Sequence, residues 1–138
     1  MRNDDCIFCK IAEGNIPAAT IYEDDDFRVI LDVAPAAKGH ALILPKNHFG
    51  NLWELGEEES AKVMKLAAKI TAAQKKALNC DGINVLQNNG VAAGQSVFHF
   101  HMHLIPRYDN DGVVIPWKTL SYEDGEMEQV CSQIKAAL

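Results

Sequence analysis

The chain has 138 residues, of which 48% are apolar and 23% charged. That is the length and apolar content of one folded domain, and it excludes a disordered chain. The 13 basic and 19 acidic residues give a formal charge of −6, which excludes a nonspecific binder of nucleic-acid polymers, and no apolar run is long enough for a membrane helix.

Taken in chain order, Ile7–Ala12 predicts a short helix ended by Gly14 and Pro17. Residues 20–22 and 27–31 flank Glu23-Asp24-Asp25-Asp26, a strand–turn–strand pattern with a solvated acidic turn. Residues 34–39 form a loop by their proline and glycine, and residues 40–45 form a strand that stops at Pro45. Glu57, Glu58 and Glu59 open the longest helical pattern. Its apolar stripe is Val63, Leu66, Ala67, Ile70, Ala73 and Ala77, with lysines on the other faces and Met64 as a gap-filler. Asn79 to Gly82 ends this helix, and residues 83–86 read as a strand. A Gly-rich loop from Asn88 to Ser96 leads into a strand over residues 97–105, closed by Pro106. The tail holds Trp117 and an amphipathic last helix with Met127, Val130, Cys131 and Ile134. The sum is an α+β fold: a mostly antiparallel five-stranded sheet with one long helix, in a single domain over residues 1–138.

The N-terminal residues Arg2-Asn3-Asp4-Asp5 lack the basic-then-apolar pattern of a signal peptide, so a cytoplasmic location is expected. In a reducing compartment the four cysteines would not persist as disulfides. Cys80 and Cys131 stand alone and read as core thiols. Cys6-x-x-Cys9 is either a metal half-site or a redox pair.

Three of the five histidines fall within residues 97–105, as His99-x-His101-x-His103. On a strand these share one face, and Phe98, Phe100, Met102 and Leu104 share the other, which reads as core. Same-face neighbours stand ~6.6 Å apart along a strand, whereas metal–nitrogen bonds are ~2 Å, so all three imidazoles cannot readily hold one ion. At least one is free as a nucleophile or acid–base group near neutral pH. Upstream, Gly94 permits close backbone approach to a ligand, Ser96 adds a hydroxyl and Asn88 an amide. Joined to the histidines, this loop suggests phosphoryl or nucleotidyl transfer through a phosphohistidine-type intermediate.

The segment Gly94-Gln95-Ser96-Val97-Phe98-His99-Phe100-His101-Met102-His103-Leu104-Ile105 resembles the defining motif of the histidine triad (HIT) family. The resemblance extends over residues 6–107 and includes Ile16-Pro17-Ala18, Leu31-Asp32-Val33-Ala34-Pro35, Gly39-His40 and Leu44-Pro45-Lys46-Asn47-His48; residues 108–138 form a variable tail. It implies an antiparallel sheet with a long helix, paired as a homodimer.

By the same resemblance His101 is the nucleophile, attacking the α-phosphorus of a nucleotide substrate, and the carbonyl of His99 holds its other ring nitrogen. His103 binds a phosphate oxygen, His40 completes the cluster, and Ser96 and Asn88 hold the phosphate and leaving group, beside the nucleotide-binding backbone at Gly94. Asp32 binds the ribose hydroxyls, and Phe8, Ile11 and Val33 line the base cleft, although each would otherwise read as core. In relatives carrying the Cys6/Cys9 pair, zinc is held with residues matching His48 and His99. Such a site is structural, with no metal needed for the chemical step. The substrates implied are purine mononucleotides and nucleotide conjugates.

Serine at position 96 resembles the Hint-like branch, purine nucleoside phosphoramidases; the dinucleoside polyphosphate hydrolase branch has threonine there. The uridylyltransferase branch has glutamine where this chain has His103. The tail departs from the short Trp-containing tail of animal Hint proteins. Two other functions compete: a cupin-like metal site on His99, His101 and His40, and a nucleotide-binding module with incidental hydrolysis.

Overall fold

The computed structural model describes residues 2–115 and 117–138. Five strands, β1 (Thr20–Glu23), β2 (Phe27–Leu31), β3 (Ala41–Pro45), β4 (Gly82–Leu86) and β5 (Met102–Arg107), form one sheet in the order β1-β2-β3-β5-β4. All four pairings are antiparallel. Among the described residues four α-helices accompany it: α1 (Ile7–Ala12), α2 (Leu52–Leu55), α3 (Glu57–Leu78) and α4 (Glu126–Ala136). This is the α+β fold expected from the pattern of strands and helices; the short α2, capped by Asn51, was not.

Period-2 alternation divides the sheet into two faces. Phe27, Val29, Ala41, Ile43, Phe100, Met102 and Leu104 pack against Val63, Leu66, Ala67 and Ile70 of α3. Ile30, Leu42 and Leu44 form a second cluster with Ala12, Phe8 and Ile11, so α1 covers the opposite face. Arg28 pins it there by donating from Nη1 to the Ile11 carbonyl at 2.7 Å. The acidic turn is an ordinary hairpin connection, in which Asp24 Oδ1 accepts from the Asp26 and Phe27 amides.

Helix α3 buries Val63, Leu66, Ala67, Ile70 and Gln74. The stripe therefore continues to Gln74, while Ala73 and Ala77 are exposed, contrary to the sequence expectation. Met64 lies about 100° round the helix from Val63 and is 56% exposed, so it fills no gap. Gln74 is the anomaly in the stripe: Nε2 donates to the carbonyls of Gly39 and Leu104, while its buried Oε1 has no partner among the described residues. Such an orphan costs ~1–3 kcal/mol.

The histidine-rich segment corrects a second expectation. Residues 97–101 are not strand; β5 begins at Met102 and continues through Pro106 to Arg107. The Phe100 amide donates instead to the Phe49 carbonyl in the loop after β3. In this bent segment Phe98 is 54% exposed rather than core. Pro106 is tolerated because the last β3–β5 pair is Ala41–Leu104, so only β4 flanks β5 there.

Cys80 is a buried core thiol, as expected; Cys131 is not. It sits on α4, which buries no residue, so the amphipathic pattern of that helix finds no partner within the chain among the described residues. None of the helices is long and apolar enough to cross a membrane, among the described residues.

Candidate active site

Two side-chain clusters lie on the α1 face. In the first, Cys6 and Cys9 at the start of α1 meet His48 and His99. The Nδ1 of His99 is 3.5 Å from each of the two sulfurs, and His48 Nδ1 is 3.4 Å from Cys9 Sγ. The four donor atoms lie within 4.8 Å of one another. A tetrahedral ion with metal–sulfur bonds of ~2.3 Å and metal–nitrogen bonds of ~2.0 Å requires sulfur–nitrogen separations of about 3.5 Å. The second shell fits as well. His99 Nε2 lies 3.0 Å from the Pro45 carbonyl, which can only accept, so Nε2–H donates and Nδ1 turns its lone pair to the sulfurs. Burial pushes the His99 pKa down to about 4, and burial, with Cys6 adding, pushes the Cys9 thiol up. A neutral His99 and crowded thiols suit a cation that would convert the thiols to thiolates.

The second cluster is His40, His101 and His103, with Asp32 beside it. His101 Nδ1 is 2.7 Å from the carbonyl of His99, so Nδ1–H donates and a neutral ring carries its lone pair at Nε2. Its ring centroid is 5.0 Å from that of His103 and 5.0 Å from that of Phe8, both edge-on. The Ala36 amide donates to His40 Nδ1 at 3.0 Å, which puts the proton of a neutral His40 on Nε2. That proton points to His103 Nδ1, 2.9 Å away, which leaves His103 with its own proton on Nε2. Burial lowers the pKa of His40, and burial with the neighbouring His101 and His40 takes His103 to about 4, so both rings are neutral near pH 7. The result is a one-way chain of donors: Ala36 amide, His40, His103, and outward.

Asp32, His40 and His103 also bring three ligand-type atoms within 4.8 Å. They do not suit a metal. A neutral imidazole ligating through Nε2 must carry a proton on Nδ1, and in His40 that nitrogen faces an amide donor. The cupin-like set fares no better: His99 turns to the sulfurs and His101 Nδ1 to a carbonyl, and neither metal-type group among the described residues includes His101.

The other expected residues divide. Asp32 is 3.7 Å from His40 Nε2 through Oδ2, while Oδ1 accepts the Ala34 amide. Phe8 and Ile11 are half-buried on the α1 face. Val33 is 99% exposed, so the core alternative for it is wrong. Gly94 has φ +86°, which favours glycine, and the Asn88 amide lies beside it. Ser96 is exposed, bordering a surface hollow with Val97, Phe98, Cys6 and His48. Sequence reasoning missed Ala36, which acts through its backbone, and Gln74; the helical period that falls on position 74 rather than 73 was the available signal.

The HIT domain family model matches residues 13–110. The chain is a member of the histidine triad family. This histidine triad protein is 39% identical to adenosine 5'-monophosphoramidase hnt1 of Schizosaccharomyces pombe, over 94% of this chain and 98% of that one. A crystal structure of a HIT family protein from Bacillus anthracis superposes with a TM-score of 0.90 at 40% identity, covering 98% of both chains. A Zn-bound histidine triad family protein from Mycobacterium smegmatis superposes with a TM-score of 0.76 at 35% identity, covering 97% of this chain and 98% of that one. The histidine triad protein is accordingly a hydrolase of the HIT family acting on nucleotides.

Proposed function

We propose that the protein hydrolyses purine nucleoside phosphoramidates at the α-phosphate through a covalent nucleotidyl-histidine on His101. The observation that carries this reading is the 2.7 Å bond from His101 Nδ1–H to the His99 carbonyl, which leaves Nε2 as the nucleophilic atom. Nε2 attacks the α-phosphorus, the P–N bond breaks, and the leaving nitrogen takes a proton from solvent water and departs as the free amine. Water then cleaves the new P–N bond and releases the mononucleotide and free His101. His103, with its proton on Nε2, donates to a phosphoryl oxygen as charge develops. Ser96, Asn88 and Gly94 hold the phosphate and leaving group. The phosphoramidase activity named for the yeast relative supports this substrate class. Hydrolysis of adenosine 5′-phosphoramidate, run beside a diadenosine polyphosphate, tests it: faster cleavage of the polyphosphate would move the protein to the other branch.

Asp32 binds the ribose hydroxyls, because a carboxylate accepts from both members of a vicinal diol. Phe8, Ile11 and Val33 line the base. Asp32→Ala should raise KM for a ribonucleotide about tenfold or more and leave KM for the 2′-deoxy analogue less affected. Equal KM changes for the two substrates would place the ribose elsewhere.

Zinc would be held by Cys6, Cys9, His48 and His99. Two thiolates and two imidazoles complete a tetrahedral set with no open position, so the ion fixes the loop carrying His99 and needs no part in the reaction. The Zn-bound relative supports this assignment.

The protein acts as a homodimer in the cytoplasm. The unsheltered apolar side chains of the tail, with Trp117 81% and Leu120 91% exposed, support a second copy as their cover. Sedimentation should read twice the chain mass, and a monomer at micromolar concentration would contradict it.

A further inference from the structure

Gln74 stands on the α3 face, across the sheet from the histidines, yet it touches the backbone next to two of them. The β3–β5 ladder ends at Ala41–Leu104. Beyond it the chain bends at Gly39, where φ is +88°, and His40 sits between the bend and the last ladder pair. The carboxamide nitrogen of Gln74 bridges this end of the ladder, donating to the Gly39 carbonyl at 2.8 Å and the Leu104 carbonyl at 3.2 Å. Each accepting residue adjoins a histidine of the donor chain, His40 on one side and His103 on the other.

An apolar side chain would continue the stripe of Val63, Leu66, Ala67 and Ile70 without the orphaned Oε1 that Gln74 keeps at 6% residue exposure. What it would not supply is two donors from one nitrogen. Asparagine is one methylene short, and an ionised glutamate has no donor.

We infer that Gln74 is a positioning residue, clamping the Gly39 and Leu104 carbonyls so that His40 and His103 keep the hydrogen bond that holds the His103 proton on Nε2. The effect on turnover rests on the proposed reaction; the effect on the His103 tautomer does not.

The test compares the full chain with Gln74→Met and Gln74→Leu, which keep apolar volume and lose both donors. Ring nitrogen spectra of 15N-labelled histidines report tautomers, and melting is followed separately. In the unsubstituted protein His103 should show a single Nε2–H tautomer, and in the variants a mixture. On adenosine 5′-phosphoramidate, kcat should fall about tenfold to a hundredfold with KM within about twofold. Melting lowered with an unchanged His103 spectrum and unchanged kcat per folded molecule would overturn the inference and leave Gln74 a packing residue. Should both variants fail to fold, hydrogen exchange in the unsubstituted protein decides: slow exchange of both Gln74 amide protons supports the clamp, and fast exchange overturns it. An unsubstituted protein that leaves the phosphoramidate intact would overturn the proposed reaction, while the ring spectra still decide the role of Gln74.

Discussion

His101→Ala should leave a folded protein that still binds AMP but hydrolyses adenosine 5′-phosphoramidate at least ~10³-fold more slowly. Among the described residues the side chain makes one hydrogen bond, to the backbone of His99, and edge contacts with Phe8 and His103. Its loss leaves the His99 carbonyl without that donor but removes no ligand atom of the Cys/His cluster and no member of the core packed on α3. A loss of turnover with circular dichroism and AMP affinity intact therefore isolates the nucleophile. Turnover within tenfold of the unsubstituted protein would sink the covalent mechanism. An unsubstituted protein that binds AMP without turning over any nucleotide conjugate would instead favour a binding module. Steady-state kinetics with rapid quench would add a direct check, since a nucleotidyl-protein should accumulate only when His101 is present.

Zinc removal should act on stability before it acts on chemistry. Protein purified without chelator should carry about one zinc per chain by elemental analysis. Cys9→Ser or exhaustive chelation should lower the melting temperature by more than about 10 °C, because a closed tetrahedral site contributes several kcal/mol to folding. Below the new melting temperature, kcat should stay within a few-fold, since the four ligands form a group that does not include His101. Cys9 is buried and close to both imidazoles, so serine there leaves the other three ligands with an incomplete shell. A metal-free preparation with an unchanged melting curve would refute the site. Loss of turnover that follows zinc occupancy in still-folded protein would give the ion a catalytic role.

Much of the fold was legible because its causes are local. The β1–β2 hairpin follows from an Asp24 that caps its own turn, and α3 from acidic residues at its start and a 3.6-residue apolar period. The failures share one cause: a local pattern does not say what lies opposite it. Strict alternation through residues 97–105 implies strand, but the Phe49 carbonyl takes the Phe100 amide and bends the segment before β5 begins. The stripe of α4 implies burial, yet that helix buries no residue among the described residues, so Cys131 is exposed.

The sequence by itself determined the histidine spacing, the Cys6/Cys9 pair and the family to which they belong, because these are questions of residue type and order. Only the tertiary structure decided which nitrogen of each ring is free. That choice depends on what each ring meets: the Pro45 carbonyl for His99, a backbone carbonyl for His101, the Ala36 amide for His40, and His40 in turn for His103. A histidine's chemistry at neutral pH is set by the hydrogen bond on its other nitrogen, and in this chain two of those four partners, the Pro45 carbonyl for His99 and His40 for His103, arrive from segments distant in sequence.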